Sequence, residues 1–499
     1  MQNNQQKTMT LMALIMMIFT NVYGLTNIMK AFWLMGYASI IWYLLGAILF
    51  FIPFAFMLAE FGAAFKSSKG GIYSWMADSV NPKFAFIGFF MWYVSFIIWF
   101  VSTAPNVIIS ISNMIFGSDT TQSWHLFGLN SVQTLGILGV ILIIGLTYIS
   151  TRGLSWVKQI TNFGGMMVMI FNVLIFVVGL IILIKNGHFM EPVTLKGFIQ
   201  SPNHDYRTII QVFSFLVFAI FAYGGIEVVS GVTDETKNPE KTFPKAITIS
   251  AIVIALGYAL GILVIGIFTD WNFVFKHFSR DSITMGNVSY VVISNMGYQM
   301  GLAFHMSPQH AMVLGEWISR FMGLSMFTSL LGAVVTGLYS PIKQLIDGTP
   351  KELWPRFLTK TRGETPYNAM YVQAAIVCLI ILLTSFGGQN ATSFFDILVS
   401  MTNVSMTIPY MFISFAFYGF KKNQAIEKPF VIFKKQRTVT LMVWIVTSIV
   451  GIANVFTIIE PALDGDWMQT IWSIIGPALF TGVALILYRR YERRTKQIL

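Results

Sequence analysis

Charge is scarce in this sequence: Asp, Glu, Lys and Arg make up 11% of its 499 residues, less than half the roughly 25% of an ordinary soluble domain. Cysteine is nearly missing. The single thiol, Cys378, sits in an apolar run, which excludes a disulfide framework and a thiolate metal cluster. All six histidines fall outside the long apolar runs, so an intramembrane metallohydrolase or a haem protein would find no imidazole ligand at depth. A Gly-x-x-x-x-Gly-Lys-Ser/Thr loop is also missing, which removes direct nucleotide drive. The expectation is no enzyme, no metal and no cofactor.

What is abundant is apolar surface, at 55% of residues. No soluble fold of this length could hide it, so the solvent is lipid. Apolar runs of spanning length occur near 9–33, 38–65, 84–116, 131–150, 162–185, 208–231, 246–269, 311–340, 366–386, 393–420, 437–459 and 467–489. They predict an all-α polytopic membrane protein of about twelve helices. Residues 1–10 are polar and the first run lacks a small-residue cleavage pattern, so it reads as an uncleaved first span. The gap near 271–310 contains a semi-apolar stretch, 288–302, expected as a short helix on the outer face.

The net charge of +11 would suit nucleic acid, but its distribution does not. Of the 32 Lys and Arg, 25 fall on the termini and alternate loops of one face, five on the other face, and Lys30 and Arg320 within spans. That bias predicts a membrane protein with both termini cytoplasmic, lipid as its surroundings and no nucleic-acid partner.

Two spans carry signals of a break. Span 1 has Thr20, Asn21, Tyr23 and Gly24 at mid-depth; span 6 has Gly224 and Gly225, with Glu227 two residues further on. Either could be helix packing or local back-bonding. The pair says more, because broken helices in corresponding positions of two halves point to a secondary transporter's binding site. Unwinding frees N–H groups for a carboxylate and carbonyls for an ammonium group or cation.

The run Phe221-Ala-Tyr-Gly-Gly-Ile-Glu227, followed by Asp234-Glu-Thr-Lys-Asn-Pro-Glu-Lys241 and Pro244-Lys-Ala246, resembles the sixth span and next loop of amino acid–polyamine–organocation permeases. Gly46 to Pro53, Ala59-Glu60 and Gly70-Gly71-Ile-Tyr-Ser-Trp75 resemble the glutamate/γ-aminobutyrate antiporter branch, as does 340–355 with its Asp347-Gly348. The resemblance covers essentially all twelve spans. It implies a five-plus-five inverted repeat with broken first and sixth helices and two peripheral helices. The core would be 1–420, with repeats at about 9–185 and 208–420, and the peripheral pair with its basic tail 421–499.

The resemblance also implies alternating-access transport of amino acids or related amines, as an exchanger or proton symporter. Phe221 resembles the aromatic lid over bound substrate in the arginine/agmatine antiporter, Gly225 and Glu227 match that family's Gly-x-Glu, and Ser95, Phe96 and Trp99 fall where side chains line the pocket. Span 1 departs from the antiporter's Gly-Ser-Gly, having Asn21-Val-Tyr-Gly24 instead. Glu227 reads as a proton-coupling group or a structural acceptor, and Glu60 as a gate or packing residue. Thr328 and Ser329 read as a sodium site or an interhelical hydrogen bond. Glu316 and Arg320 are spaced to pair; Lys30 either snorkels to the interface or meets substrate. Protons as a coupling partner and a homodimer as the assembly stay open. The alternatives are a sodium-coupled symporter and a sensor that binds without turnover, against which the lack of a signalling domain speaks.

Overall fold

A computed structural model describes residues 10–66, 71–152, 154–233, 236–278, 282–362, 365–388 and 390–498. Lys7, Lys69, Gly70, Asp234, Glu235 and Arg280 of the sequence reading lie outside the described residues. Among those described there is no strand, and twelve helices are long and apolar enough to cross a membrane. Spans 1 to 6 are Leu11–Met35, Ala38–Ala64, Pro82–Phe116, Ser131–Ser150, Asn162–Asn186 and Ile209–Ser230; spans 7 to 12 are Pro239–Phe268, Pro308–Gly348, Tyr367–Ser385, Ser393–Lys422, Gln436–Leu463 and Trp467–Thr495.

Polar caps decide where many of these helices begin. Asn81 accepts the N–H of Phe84 ahead of Pro82, Asn130 and Thr208 form capping boxes with Gln133 and Gln211, and Ser307 and Asn390 open spans 8 and 10. The helix of span 8 runs 41 residues, about 60 Å at 1.5 Å per residue, so its ends project beyond a bilayer core. His310 lies in its first, projecting turn.

Span 2 packs on span 7, span 3 on span 8 and span 4 on span 9, while the contact of span 5 with span 8 is mirrored by that of span 3 with span 10. Spans 2, 3 and 4 thus each meet the span five places later, and the two remaining contacts mirror each other, as the packing of a pair of five-span repeats would. Small residues permit the closest crossings. A Cβ on Gly323 would meet the backbone of span 3 at Ser110 and Met114, and one on Gly164 the backbone of span 8 at Thr328. Span 11 rests on spans 6 and 10, and span 12 on spans 3 and 10. Span 11 also hydrogen-bonds the sixth span directly, through Thr457 Oγ1 to Ser214 O at 3.3 Å.

The helix expected near 288–302 is present as Val288–Ala303, but it does not merely lie on a face. It packs along span 8, with Gly297 against Gly315 and Gly301 against Ala311. Ser289 reaches back to Thr26 O at 3.5 Å.

One loop ties these outer elements together. Glu191, between spans 5 and 6, accepts the N–H of Trp271 at 2.7 Å and gives its carbonyl to Tyr37. The Trp271 indole N–H bonds Trp33 O at 2.9 Å. Burial pushes the Glu191 carboxyl above the usual carboxylate range, opposed by the Trp271 N–H and reinforced by Asp270. A carboxyl raised on folding contributes stability below the ordinary carboxylate range and loses it as pH climbs through the shifted value. Glu191→Gln should therefore melt about 1–2 °C above wild type at pH 8, with the gap closing towards pH 4. Thermal unfolding in detergent across that range reads it.

Candidate functional site

Both breaks are present and face each other. The first helix of span 1, Leu11–Val22, ends at Tyr23, which is extended at φ −77° and ψ 100°; helix then resumes at Leu25. In span 6, helix Ile209–Ala222 ends at Tyr223 and a 3₁₀ segment, Ile226–Val232, takes over after Gly225 at φ +104°. That left-handed conformation suits glycine and strains residues with a Cβ. A Cβ on Gly225 would lie 3.1 Å from Asn21 O, so the sixth-span break touches the last turn of the first half-helix backbone to backbone.

Broken helices leave orphan backbone groups where no water can serve them. One hydroxyl lies within hydrogen-bond reach of three of them. The Tyr258 hydroxyl, from the fully buried middle of span 7, lies 2.8 Å from Val22 O and 2.8 Å from Ala222 O, and accepts the Gly24 N–H at 3.0 Å. Around it stand Tyr43, Tyr223 and Tyr23, with ring centres 4.9, 5.2 and 5.3 Å away. Tyr223 donates to Tyr43 O in span 2 at 3.0 Å. A π-helical turn, Ala47–Phe51, precedes Pro53 in that span and brings Phe51 flat against Tyr223 at 4.5 Å. Spans 1, 2, 6 and 7 are thereby tied at one depth.

Glu227 is buried directly beyond the sixth-span break. Its carboxylate accepts the Gly225 N–H at 3.0 Å and the Trp92 indole N–H at 3.4 Å. Tyr410 of span 10 places its hydroxyl where a side chain on Gly224 would be. Ser95 donates to Trp92 O at 2.6 Å, and Phe96 sets its edge on the Trp92 ring. Ser95, Phe96, Trp92 and Glu227 thus form one chain of contacts beside the break. Phe221 is half-buried and its carbonyl accepts the Gly224 N–H, while Trp99 lies one turn further along span 3 against Phe100.

Other candidates are placed differently. Tyr23 turns towards span 7, where its hydroxyl bonds Gly257 O at 3.3 Å. Thr20 and Asn21 are still helical and exposed, with the Thr20 hydroxyl bonded back to Met16 O and Met17 O. Glu60 lies far along the chain from its partners. It is fully buried, and it holds Lys421 at 2.7 Å and the N–H groups of Ile432 and Phe433 at 2.8 Å each. That clamp joins the end of span 2 to the end of span 10 and to the loop before span 11. Thr328 returns its hydroxyl to Leu324 O and Ser325 O, and its own carbonyl backs onto Gly164. Glu316 and Arg320 pair at 3.6 Å, and Arg320 also caps span 3 at Phe116 O.

Tyr258, Trp92, Tyr410 and Tyr43 escaped the sequence reading. A polar ring at mid-depth in an apolar span is the signal that could have found them.

An amino acid permease family model matches residues 9–480. The inner membrane transporter YjeM of Escherichia coli (strain K12) is 46% identical over 98% of this chain and 97% of that protein. The aspartate/glutamate permease AcaP of Lactococcus lactis subsp. cremoris (strain MG1363) is 24% identical, covering 80% of this chain and 77% of its own length. A glutamate/γ-aminobutyrate antiporter of Lactococcus lactis subsp. lactis (strain IL1403) is 22% identical over 76% of this chain and 70% of that protein.

Gly225→Leu should insert normally and lose uptake, because a side chain there meets Asn21 O in a backbone conformation that resists it; uptake per inserted molecule measures it. Tyr258→Phe strands the Gly24 N–H and whichever of the two carbonyls holds the hydroxyl proton. It should cost roughly 1–3 kcal/mol per group left unserved, and depress the maximal transport rate in proteoliposomes beyond any loss of folded protein.

Proposed function

Because the chain belongs to the amino acid permease family, we propose that it carries amino acids or related amines across the bacterial inner membrane by alternating access, as an exchanger or proton symporter. The observation that carries this reading is the meeting of two broken spans. Asn21 O lies against Gly225, so the backbones of both spans come together at one point beside their breaks. An amino acid presents an ammonium group and a carboxylate one carbon apart, matching freed carbonyls and freed N–H groups. Gly24, Phe221, Gly224 and Gly225 border that point, and Ser95, Phe96 and Trp99 form its span 3 wall.

The proposed transport core is 1–420, with repeats at about 9–185 and 208–420, and 421–499 forms the peripheral pair and tail. The pairing of spans five places apart supports the division. Lys and Arg placement supports cytoplasmic termini. Thr20 and Asn21 are exposed at the end of the first half-helix, while most of Leu25–Met35 is buried. That contrast favours a state open towards the face that carries the N-terminus.

Glu227 is proposed as the proton-coupling group and Glu60 as the clamp of the gate-end loop. Glu227 meets no ion-pair partner among the described residues, and an ionisable residue so placed within a span is a candidate for a functional role. Sodium coupling through Thr328 and Ser329 has less behind it, since the Thr328 hydroxyl is already bonded within its own helix.

Glu227→Gln mimics the protonated carboxyl. Substrate exchange should survive in proteoliposomes, while uphill accumulation driven by a proton gradient and its pH dependence disappear. Wild-type proton-to-substrate stoichiometry in the Gln variant would remove Glu227 from the coupling step.

A further inference from the structure

Spans 4 and 9 pack along each other, and a Cβ on Gly136 of span 4 would meet Ser385 at the far end of span 9. At the opposite end, where span 4 finishes and span 9 begins, the pair borders a cavity of about 410 Å³, within the roughly 300–1,000 Å³ of ligand pockets. Its lining is Thr151 from the end of span 4, Thr361 and Arg362 from the segment ahead of span 9, and Tyr367 and Tyr371 one turn apart on span 9. Each of these side chains carries a hydroxyl or a guanidinium, and no carboxylate is among them.

The lining is held from behind. Arg362 exchanges both backbone hydrogen bonds with Thr365, at 2.9 and 3.3 Å, and Asn368 donates to Phe357 O at 2.8 Å, which fastens the segment to the first turn of span 9. The Thr151 hydroxyl gives its proton to Tyr148 O at 2.7 Å, so towards a ligand it can only accept. Arg362 is exposed, and among the described residues no carboxylate pairs with it; Glu364, two positions on, lies outside them. The segment 351–362 carries Lys351, Arg356, Lys360 and Arg362 against one carboxylate, Glu352. An anion is the ligand this charge suits.

The surroundings say which anion arrives. Ile141, Ile144 and Tyr148 form an exposed row on span 4, three or four residues apart, and Tyr371, Leu379 and Leu383 form another on span 9 at multiples of four. The first row ends one turn before Thr151, and the second starts in the cavity wall. Acyl chains lie along such rows, and phenols at their ends suit the headgroup level. A lipid against either row therefore has its headgroup at the cavity, on the face that Lys and Arg placement makes cytoplasmic.

We propose that this cavity binds the headgroup of an anionic glycerol-type phospholipid, with the phosphodiester on the Arg362 guanidinium and the Thr361 and tyrosine hydroxyls, and the terminal headgroup hydroxyl donating to Thr151. A guanidinium matches phosphate oxygens two at a time, and basic pockets between spans on this face favour anionic headgroups. A choline headgroup brings the same phosphate, but it sets a quaternary ammonium near Arg362 and has no proton to give Thr151. The bound lipid joins the end of span 4 to the segment ahead of span 9.

The test is thermal unfolding of delipidated full-length protein in a neutral maltoside detergent, titrated with dioctanoyl phosphatidylglycerol, dioctanoyl phosphatidylcholine or sodium phosphate. The glycerol lipid should raise the wild-type midpoint by about 3–5 °C at a hundredfold excess over its Kd, and the other two should leave it nearly unchanged. Arg362→Gln should raise the half-saturating concentration of the glycerol lipid about 10- to 100-fold, the range for a lost hydrogen bond to a charged group. Arg494→Gln, an exposed charge on the tail helix, should respond as wild type does. Equal stabilisation by the choline lipid, or an undiminished response of Arg362→Gln, overturns the assignment. Sodium phosphate matching the glycerol lipid makes this a free-anion site and overturns the lipid reading. The three-ligand comparison on wild type stands whether or not Arg362→Gln folds.

Discussion

Hydrocarbon offers no partner to a backbone N–H or C=O, and everything distinctive here follows from that constraint. A broken helix exposes such groups, so a break survives only where the protein supplies the missing partners. Tyr258 supplies them to both breaks with one hydroxyl. The need for that hydroxyl at that depth sets the position of span 7 behind spans 1 and 6. The tyrosines around it and the π-helical turn of span 2 then fill the space its placement creates.

Charge is distributed under the same constraint. The Glu60–Lys421 pair succeeds because two further N–H groups complete the shell of the carboxylate. A buried pair without such help seldom offsets its desolvation. Arg320 likewise adds a helix-end carbonyl to its contact with Glu316. Against these completed shells, Glu227 has two N–H donors beside the sixth-span break and no ion-pair partner among the described residues.

The sequence disclosed whatever depends on composition and local pattern. Span edges fall within several residues of those in the structure for most helices, because the length of an apolar run is a local property. The sixth-span break lies at the Gly224-Gly225 pair, where two residues without Cβ atoms mark it. The first-span break is narrower than the polar run Thr20 to Gly24 suggested, since Thr20 bonds back to its own helix and stays helical. Tyr258 was illegible for a different reason. Within span 7 it reads as one more apolar aromatic, and its role depends on a partner 234 residues away in sequence. Glu60 and Lys421, 361 residues apart, could be paired only once the fold had brought the ends of spans 2 and 10 together.

The hydroxyl of Tyr258 has a single proton and two carbonyls at equal distance to receive it. Its bond is therefore degenerate: satisfying Val22 O leaves Ala222 O underserved, and the reverse. A latch with two equivalent catches resists neither direction strongly. Small relative displacements of the two half-sites transfer the proton's allegiance instead of rupturing a bond, which makes this contact a pivot with a shallow energy profile inside an otherwise close-packed interior.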